Sequence, residues 1–336
     1  MSYITLSKEN YFYNLSFINQ FVKKENMILV LKDNAYGHGL EQISNLAMEW
    51  GVQKVAVKNE YEALQIKDKF KKIIILSQNM RDSLTFYPNF IYAVNSIEVL
   101  RLLECGTKIA LKIDTGMHRN GVLIEEIDEC VSIIKQKKLI LEDVFSHFHS
   151  PNTSSFDVQK KQFLSVIESI KNNNLNPRVH IHASNGFLKE SDFFDKNEFF
   201  VLNPGFDVRI GLLQYGYGLK LKNVLKLYAQ KISTRILKKG ESVGYNARFI
   251  AKEDMKISCY DIGYGDGIFR IDGINKFVLE NGVEILGCMS MDSFSAIDCG
   301  DEICVLSDAS HFANFFNTIE YEILVKLNKD IKRYII

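Results

Sequence analysis

Residues Met27–Leu40 read MILVLKDNAYGHGL, and the fold turns on how that stretch is divided. Met27–Leu31 is a run of β-prone apolar residues followed at once by turn formers, which predicts a short buried strand. Lys32 stands at its carboxyl end, and Asn34, Gly37 and Gly39 make the chain leave sharply. An ammonium group is costly in a core and useful at a strand end over a barrel mouth, where catalytic side chains collect.

Working outward, the same alternation of short apolar strand and helical pattern continues. Further strands are predicted at Lys54–Val57, Ile73–Leu76, Ile91–Val94, Lys108–Ile113, Leu139–Phe145, Val179–His182 and Val208–Ile210. Helical patterns fall between them at Leu40–Trp50, Ser96–Glu104 and Asp157–Lys171. Eight strands with interleaved helices suit a (β/α)8 TIM-type barrel, although pattern alone also admits a doubly wound sheet. Character changes near Asn223. Gly-punctuated short strands follow at Leu227–Leu237, Met255–Ile262, Phe277–Val278, Val283–Leu286, Ser295–Ile297 and Ile303–Leu306, and only Ile319–Leu327 returns to helix. The expected division is residues 1–222 as barrel and 223–336 as a mostly β C-terminal domain.

A chain of 336 residues with 46% hydrophobic and 24% charged content can build a large core. Basic and acidic residues balance at 41 each, so no charge excess points to nucleic acid or an anionic membrane. No apolar run approaches the ~18 residues that span a bilayer. MSYITLSKEN has no secretory pattern, and the six cysteines are scattered without a C-x-x-C, which suits buried thiols in a reducing cytoplasm. The pairs His147/His149 and His180/His182 have a spacing that puts both rings on one strand face, but no thiolate or carboxylate cluster accompanies them, and no metal is expected.

The pattern K-x-N-A-Y-G-H-G, formed by Lys32, Asn34, Ala35, Tyr36, Gly37, His38 and Gly39, resembles the cofactor-lysine motif of the alanine racemases. Asp33 stands where that family usually has Ala. The resemblance implies that Lys32 forms the internal Schiff base with pyridoxal 5'-phosphate and that the Tyr36 hydroxyl binds the phosphate. Lys112–Gly121, KIDTGMHRNG, is similar to K-x-D-T-G-M-x-R-x-G, with His118 in place of Gly. It implies that Arg119 binds the cofactor's phenolic oxygen and the substrate carboxylate, and that Lys112, carbamylated in many members, orients it. Asn203–Gly218 resembles R-x-G-I-x-L-Y-G, which implies that Arg209 faces the pyridine nitrogen and that the amides of Gly211 and Leu212 bind phosphate. A guanidinium does not give up its proton, so the ring nitrogen stays neutral, which favours racemisation over transamination.

Further segments carry the same likeness. HIHASNG at His180–Gly186 implies Ser184 as a phosphate ligand, with Ala183 or Asn185 adjoining, and His147 matches a histidine beside the ring. SVGYNARF at Ser242–Phe249 resembles the second-base motif V-S-Y-G and implies Tyr245 as the base on the opposite face, supplied across a dimer interface. CMSMDSF implies Met291 as a carboxylate ligand through its amide, with Asp292 nearby. GYGDGIFR and TIEYE imply that Tyr264 and Tyr321 narrow the way in, Tyr321 also touching the phosphate.

Together the resemblance implies an isomerase that interconverts L- and D-alanine by two-base proton transfer and supplies D-alanine for cell-wall peptidoglycan. It implies a cytoplasmic head-to-tail homodimer with shared sites and a small-molecule substrate, and no nucleic acid or membrane. The rivals are a broad-specificity or serine racemase on the same scaffold and a non-catalytic pyridoxal-phosphate carrier. The latter resembles only the N-terminal part.

Overall fold

A computed structural model describes residues 1–79, 85–149, 155–183, 206–218 and 220–336, with the backbone alone at 181–183. The chain forms two compact units: Met1–Asn14, Asp33–Ile43 and Tyr215–Ile336 make one, and Leu15–Lys32 with Ser44–Gln214 make the other. The first strand, β1 (Tyr3–Leu6), belongs to the former.

The second unit is a closed parallel barrel. Its strands are β2 (Met27–Val30), β3 (Lys54–Val57), β4 (Lys72–Ile75), β5 (Phe90–Val94), β6 (Lys108–Lys112), β7 (Ile140–Phe145), β8 (Arg178–Ala183) and β9 (Phe206–Ile210), in that order. β9 closes on β2 with Met27 opposite Val208. All eight predicted strands are present, and the doubly wound alternative is set aside by the closure. Strands such as β2, β3 and β9 are buried at every position, because one face fills the lumen and the other lies under helices. That two-sided burial is why the sequence shows continuous apolar runs rather than alternation. The helices are cut by local chemistry: Asn59 accepts from the Glu62 amide at 3.1 Å to start Glu60–Gln65, and Ser96 caps Ile97–Leu102 in the same way.

The other unit is built on an eight-stranded sheet. β10 (Leu225–Leu237), β13 (Met255–Tyr260), β14 (Phe277–Val278), β15 (Glu284–Ile285), β16 (Phe294–Ile297), β17 (Glu302–Leu306) and β18 (Lys332–Ile335) join β1 in the order β14-β15-β16-β13-β10-β1-β18, with β17 also on β10, while β11 (Ser242–Val243) and β12 (Phe249–Ile250) pair apart from it. Pairing is antiparallel except between β1 and β18. The strand Tyr3–Leu6 lies in the segment expected in the barrel but pairs with β10, Tyr3 opposite Tyr228.

One expectation is corrected. Helix was expected here only at Ile319–Leu327, where Glu320–Lys326 is found, yet Ala309–Phe316 is also helical. Phenylalanine is only a moderate helix former, so the three Phe residues of this segment give no helical signal. The Asp308 carboxylate nevertheless accepts from the Ser310 amide at 2.9 Å, and the rings of Phe312 and Phe315 each lie 4.7 Å from that of Phe277, tilted and edge-on respectively. Among the described residues no helix is long and apolar enough to cross a membrane.

Candidate active site

Four candidate residues gather at the carboxyl ends of the barrel strands. Lys32 follows β2, Lys112 ends β6, His147 lies two residues beyond β7, and Arg209 sits in β9. Arg209 is 5% exposed and meets several neutral acceptors. It donates to the Ser146 carbonyl at 2.7 Å and the His180 carbonyl at 3.0 Å, contacts the His180 Nδ1, and lies 3.4 Å from the His147 Nδ1. Its guanidinium also stands over the Phe145 ring, on which His180 stacks at 4.8 Å. Burial first, and then the Arg209 charge, hold His180 well below its ordinary pKa. Both histidines therefore accept from Arg209 rather than repel it.

His147 maps the field of this mouth. Burial and then Arg209, Arg119, Lys112 and Lys32 push its pKa down to about 3. Four cations thus act on one imidazole. Lys112 is buried, donates to the Asn120 Oδ1, and is pushed down to about 8 by burial and then by Arg119 and Arg209, against the pull of Asp114. Asp114 is itself held by the amides of Gly116 at 2.9 Å and His118 at 3.0 Å, which curls the loop that presents Arg119 to solvent. His118 has φ 52, so the glycine usual at this position fits its backbone better than histidine does.

In the other unit, Asp33, Asn34, Ala35 and Tyr36 form one left-handed turn, with φ of 54, 55, 51 and 52. Each L-residue there costs roughly 1–2 kcal/mol, least for Asn and Asp. Asp33 therefore suits its position. The turn is held by the Gly37 amide on the Asp33 carbonyl, by Gly39 on the Asn34 carbonyl, and by the Leu40 amide on the Asn34 side chain at 2.8 Å. Arg333 donates twice to the Gly37 carbonyl, at 2.9 and 3.1 Å, and a side chain at Gly37 would overlap the Leu324 carbonyl. This fixes Tyr36, buried with its ring 5.6 Å from both Tyr215 and Tyr321. Tyr36 and Tyr321, singled out separately in the sequence, are therefore neighbours.

The remaining candidates of that unit are outward-facing. Tyr245 is 61% exposed, Met291 55% and Tyr264 37%. Tyr264 and Met291 lie on adjoining loops, since the Gly265 amide donates to the Met291 carbonyl at 2.8 Å and a Cβ at Gly263 would collide with that carbonyl. Asp292 is exposed beside them. Gly211 and Leu212 lead from β9 into the short turn Leu212–Tyr215. Ser184 and Asn185 lie outside the described residues.

Sequence reasoning missed His180 as the partner of Arg209, and Asn120, Tyr215 and Arg333 altogether. His180, Asn120 and Tyr215 stood inside quoted motifs, but the role of His180 depends on β8 lying beside β9. Among the described residues no group of three or more His, Cys, Asp or Glu side chains is placed to hold a metal ion.

Comparison with known proteins covers the whole chain. The family model "Alanine racemase, N-terminal domain" matches residues 6–218, and "Alanine racemase, C-terminal domain" matches residues 224–335. The chain is similar to the alanine racemase of Campylobacter jejuni subsp. doylei, 43% identical over 340 residues and 100% of both chains. It is also similar to that of a Nitratiruptor species, 40% identical over 99% of each. Among solved structures it resembles alanine racemase from Bacillus anthracis with bound L-Ala-P, at TM-score 0.87 and 24% identity, covering 100% of this chain and 95% of that one. Histidine racemase from Leuconostoc mesenteroides has the same fold, at TM-score 0.85 and 20% identity over 100% and 98% of the two chains.

Proposed function

The chain belongs to the alanine racemase family, and from that premise we propose that it interconverts L- and D-alanine with pyridoxal 5'-phosphate as cofactor. The observation that carries this reading is the convergence of Lys32, Lys112, Arg119 and Arg209 on His147, while Asp114 is engaged by backbone amides. Such a donor set fits a phosphorylated cofactor together with an amino-acid carboxylate.

When bound, pyridoxal phosphate supplies an electron sink for the pair left at the substrate Cα. Lys32 would hold the aldehyde carbon and, once released, take or return the Cα proton on one face. Arg209 would face the ring nitrogen and keep its own proton, with His147 beside the ring and His180 fixing the guanidinium. Tyr36, Tyr321, Ser184 and the amides of Gly211 and Leu212 would take the phosphate. Arg119 would fork onto the substrate carboxylate, oriented by Lys112 and joined by the Met291 amide.

Tyr245 would serve the opposite face of Cα. Its exposure, shared with Tyr264, Met291 and Asp292, supports their being offered to a second copy in a head-to-tail homodimer. Tyr264 and Tyr321 at the way in favour a small side chain. The setting proposed is the cytoplasm, with D-alanine passing to peptidoglycan.

Incubating the purified chain with cofactor and L-alanine, followed by chiral chromatography, tests the reading. L-serine, L-lysine and L-histidine run in parallel, and faster turnover of any of these than of alanine would overturn the substrate. Tyr245→Phe is expected to abolish Cα proton exchange from one enantiomer far more than from the other; equal, mild losses would reject two bases.

A further inference from the structure

The amino-terminal end of the barrel holds a second concentration of charge that racemisation does not use. Here a cavity of about 390 Å3 is lined by Lys24, Lys54, Lys71, Lys72 and Arg178, with Glu25 as its one lining carboxylate. Lys54, Lys72 and Arg178 are the first residues of β3, β4 and β8, and Lys24 lies just ahead of β2. Four separate segments therefore bring cations to one hollow.

Their compensation is incomplete. Lys54 (2.5 Å) and Arg178 share a single carboxylate, Asp207, which is fully buried. Lys72 takes Glu142 at 2.5 Å. Lys24 is held by a carbonyl, that of Trp50 at 2.8 Å, with its ammonium 4.3 Å from the Trp50 ring. Lys71 is exposed and has no carboxylate partner among the described residues. Against Asp207, Glu142 and Glu25 the walls keep two cations in surplus. Asp143, buried behind them and not part of the lining, is pushed up to about 6 by burial, so it offsets one of the two above that pH. Burial also lowers the Lys54 pKa in spite of Asp207, the sign of an ammonium that would gain from a further anion.

We propose that this end of the barrel binds a small, multiply charged oxyanion, bearing two or more phosphate or carboxylate groups. The volume suits one such molecule, and cations carried on separate segments are bridged only by a ligand with more than one charged group. Lys54 and Arg178 form the inner wall, and Lys24 and Lys71 the outer one.

The test uses the full chain saturated with pyridoxal phosphate, so that the phosphate site of the mouth is filled. Pyrophosphate and citrate are titrated separately by calorimetry at low ionic strength while the cofactor absorbance is followed. One molecule of at least one probe is expected per chain with that absorbance unchanged, and the stronger of the two identifies phosphate or carboxylate as the source. Lys71→Glu and Lys24→Gln, both outside the racemisation machinery, are expected to keep full racemase activity and to weaken binding about tenfold or more. Absence of heat with both probes, displacement of the cofactor, or unchanged affinity in both variants would overturn the proposal. None of these outcomes bears on racemisation, which is assayed apart.

Discussion

The two ends of one barrel handle positive charge in opposite ways. At the amino-terminal end Lys54, Lys72 and Arg178 each face a carboxylate, Asp207 or Glu142. At the carboxyl end Arg209 faces two imidazoles and two carbonyls, and Lys112 faces an amide. A buried cation without a counter-ion weakens a fold, and one that has its counter-ion is expensive to break. Ion pairing among the described residues therefore marks the cations that secure the barrel, whereas those left in surplus at the rim of the amino-terminal hollow, and those set on neutral acceptors at the mouth, are placed to meet an anion. Single substitutions at the two ends should separate accordingly.

The largest effect is expected from Lys32→Ala. Lys32 is partly buried and forms no ion pair among the described residues, so unfolding free energy should stay within about 0.5 kcal/mol. Racemisation should fall by about three orders of magnitude or more, because the amine is the proposed covalent anchor and one of two bases. Urea unfolding and chiral assay of the same preparation check both halves. Asp207→Asn is the mirror experiment. It leaves Lys54 and Arg178 facing a neutral group and should cost about 3–5 kcal/mol of stability, with racemisation per folded molecule unchanged. A parallel loss of activity would show that the two ends are not separable.

What the sequence makes legible follows the same divide. The barrel strands can be read because both faces are buried: Lys72–Ile75 is KIII, and no turn or helix tolerates such a run better. Lys32, Arg119 and Arg209 can be read because their neighbours form long, specific patterns. His180 cannot be assigned to Arg209 from sequence, since the contact depends on β8 lying beside β9, with Ala183 opposite Arg209. β1 and β18 are four residues each and pair across the length of the chain, Tyr3 opposite Lys332, which no local signal encodes. The helix Ala309–Phe316 did leave a signal in Asp308, a cap that outweighs its aromatic content. The left-handed turn after Lys32 leaves only its consequences, the Asn and Gly residues that tolerate it.

Asp143 refines the comparison from the paired end. Its Oδ2 has no hydrogen-bond partner among the described residues, and burial raises its pKa from 3.8 to about 6. The native state then holds a proton that the unfolded chain releases between those values, so this group's contribution falls as pH rises from 3.8 to 6. Above that window the fold carries the whole penalty. Asp143→Asn is expected to raise stability by about 2–3 kcal/mol near pH 8 and to change little near pH 4. Urea unfolding at the two pH values checks the sign. A destabilised variant near pH 8 would mean that the neighbouring cations favour the carboxylate more than burial opposes it.

Lys112 gives the smallest and most diagnostic effect, at the mouth of the barrel. Its folded pKa, about 8, lies below the 10.5 of an unhindered amine. The unfolded chain therefore binds more protons between those values, and stability from this group rises with pH across 8 to 10.5. Below pH 8 the buried ammonium is a full liability, moderated by its bond to Asn120. Replacing it with methionine, Lys112→Met, removes the charge, keeps the volume and gives up that bond. A gain of about 1 kcal/mol near pH 7 is expected, fading toward pH 10.5. The same change should lower kcat/KM for alanine by about tenfold, because Arg119 loses the neighbour proposed to orient it. Stability that rises while activity falls would identify Lys112 as a residue kept for chemistry at the expense of the fold. A variant that loses both would place Lys112 with the ion-paired residues of the opposite end.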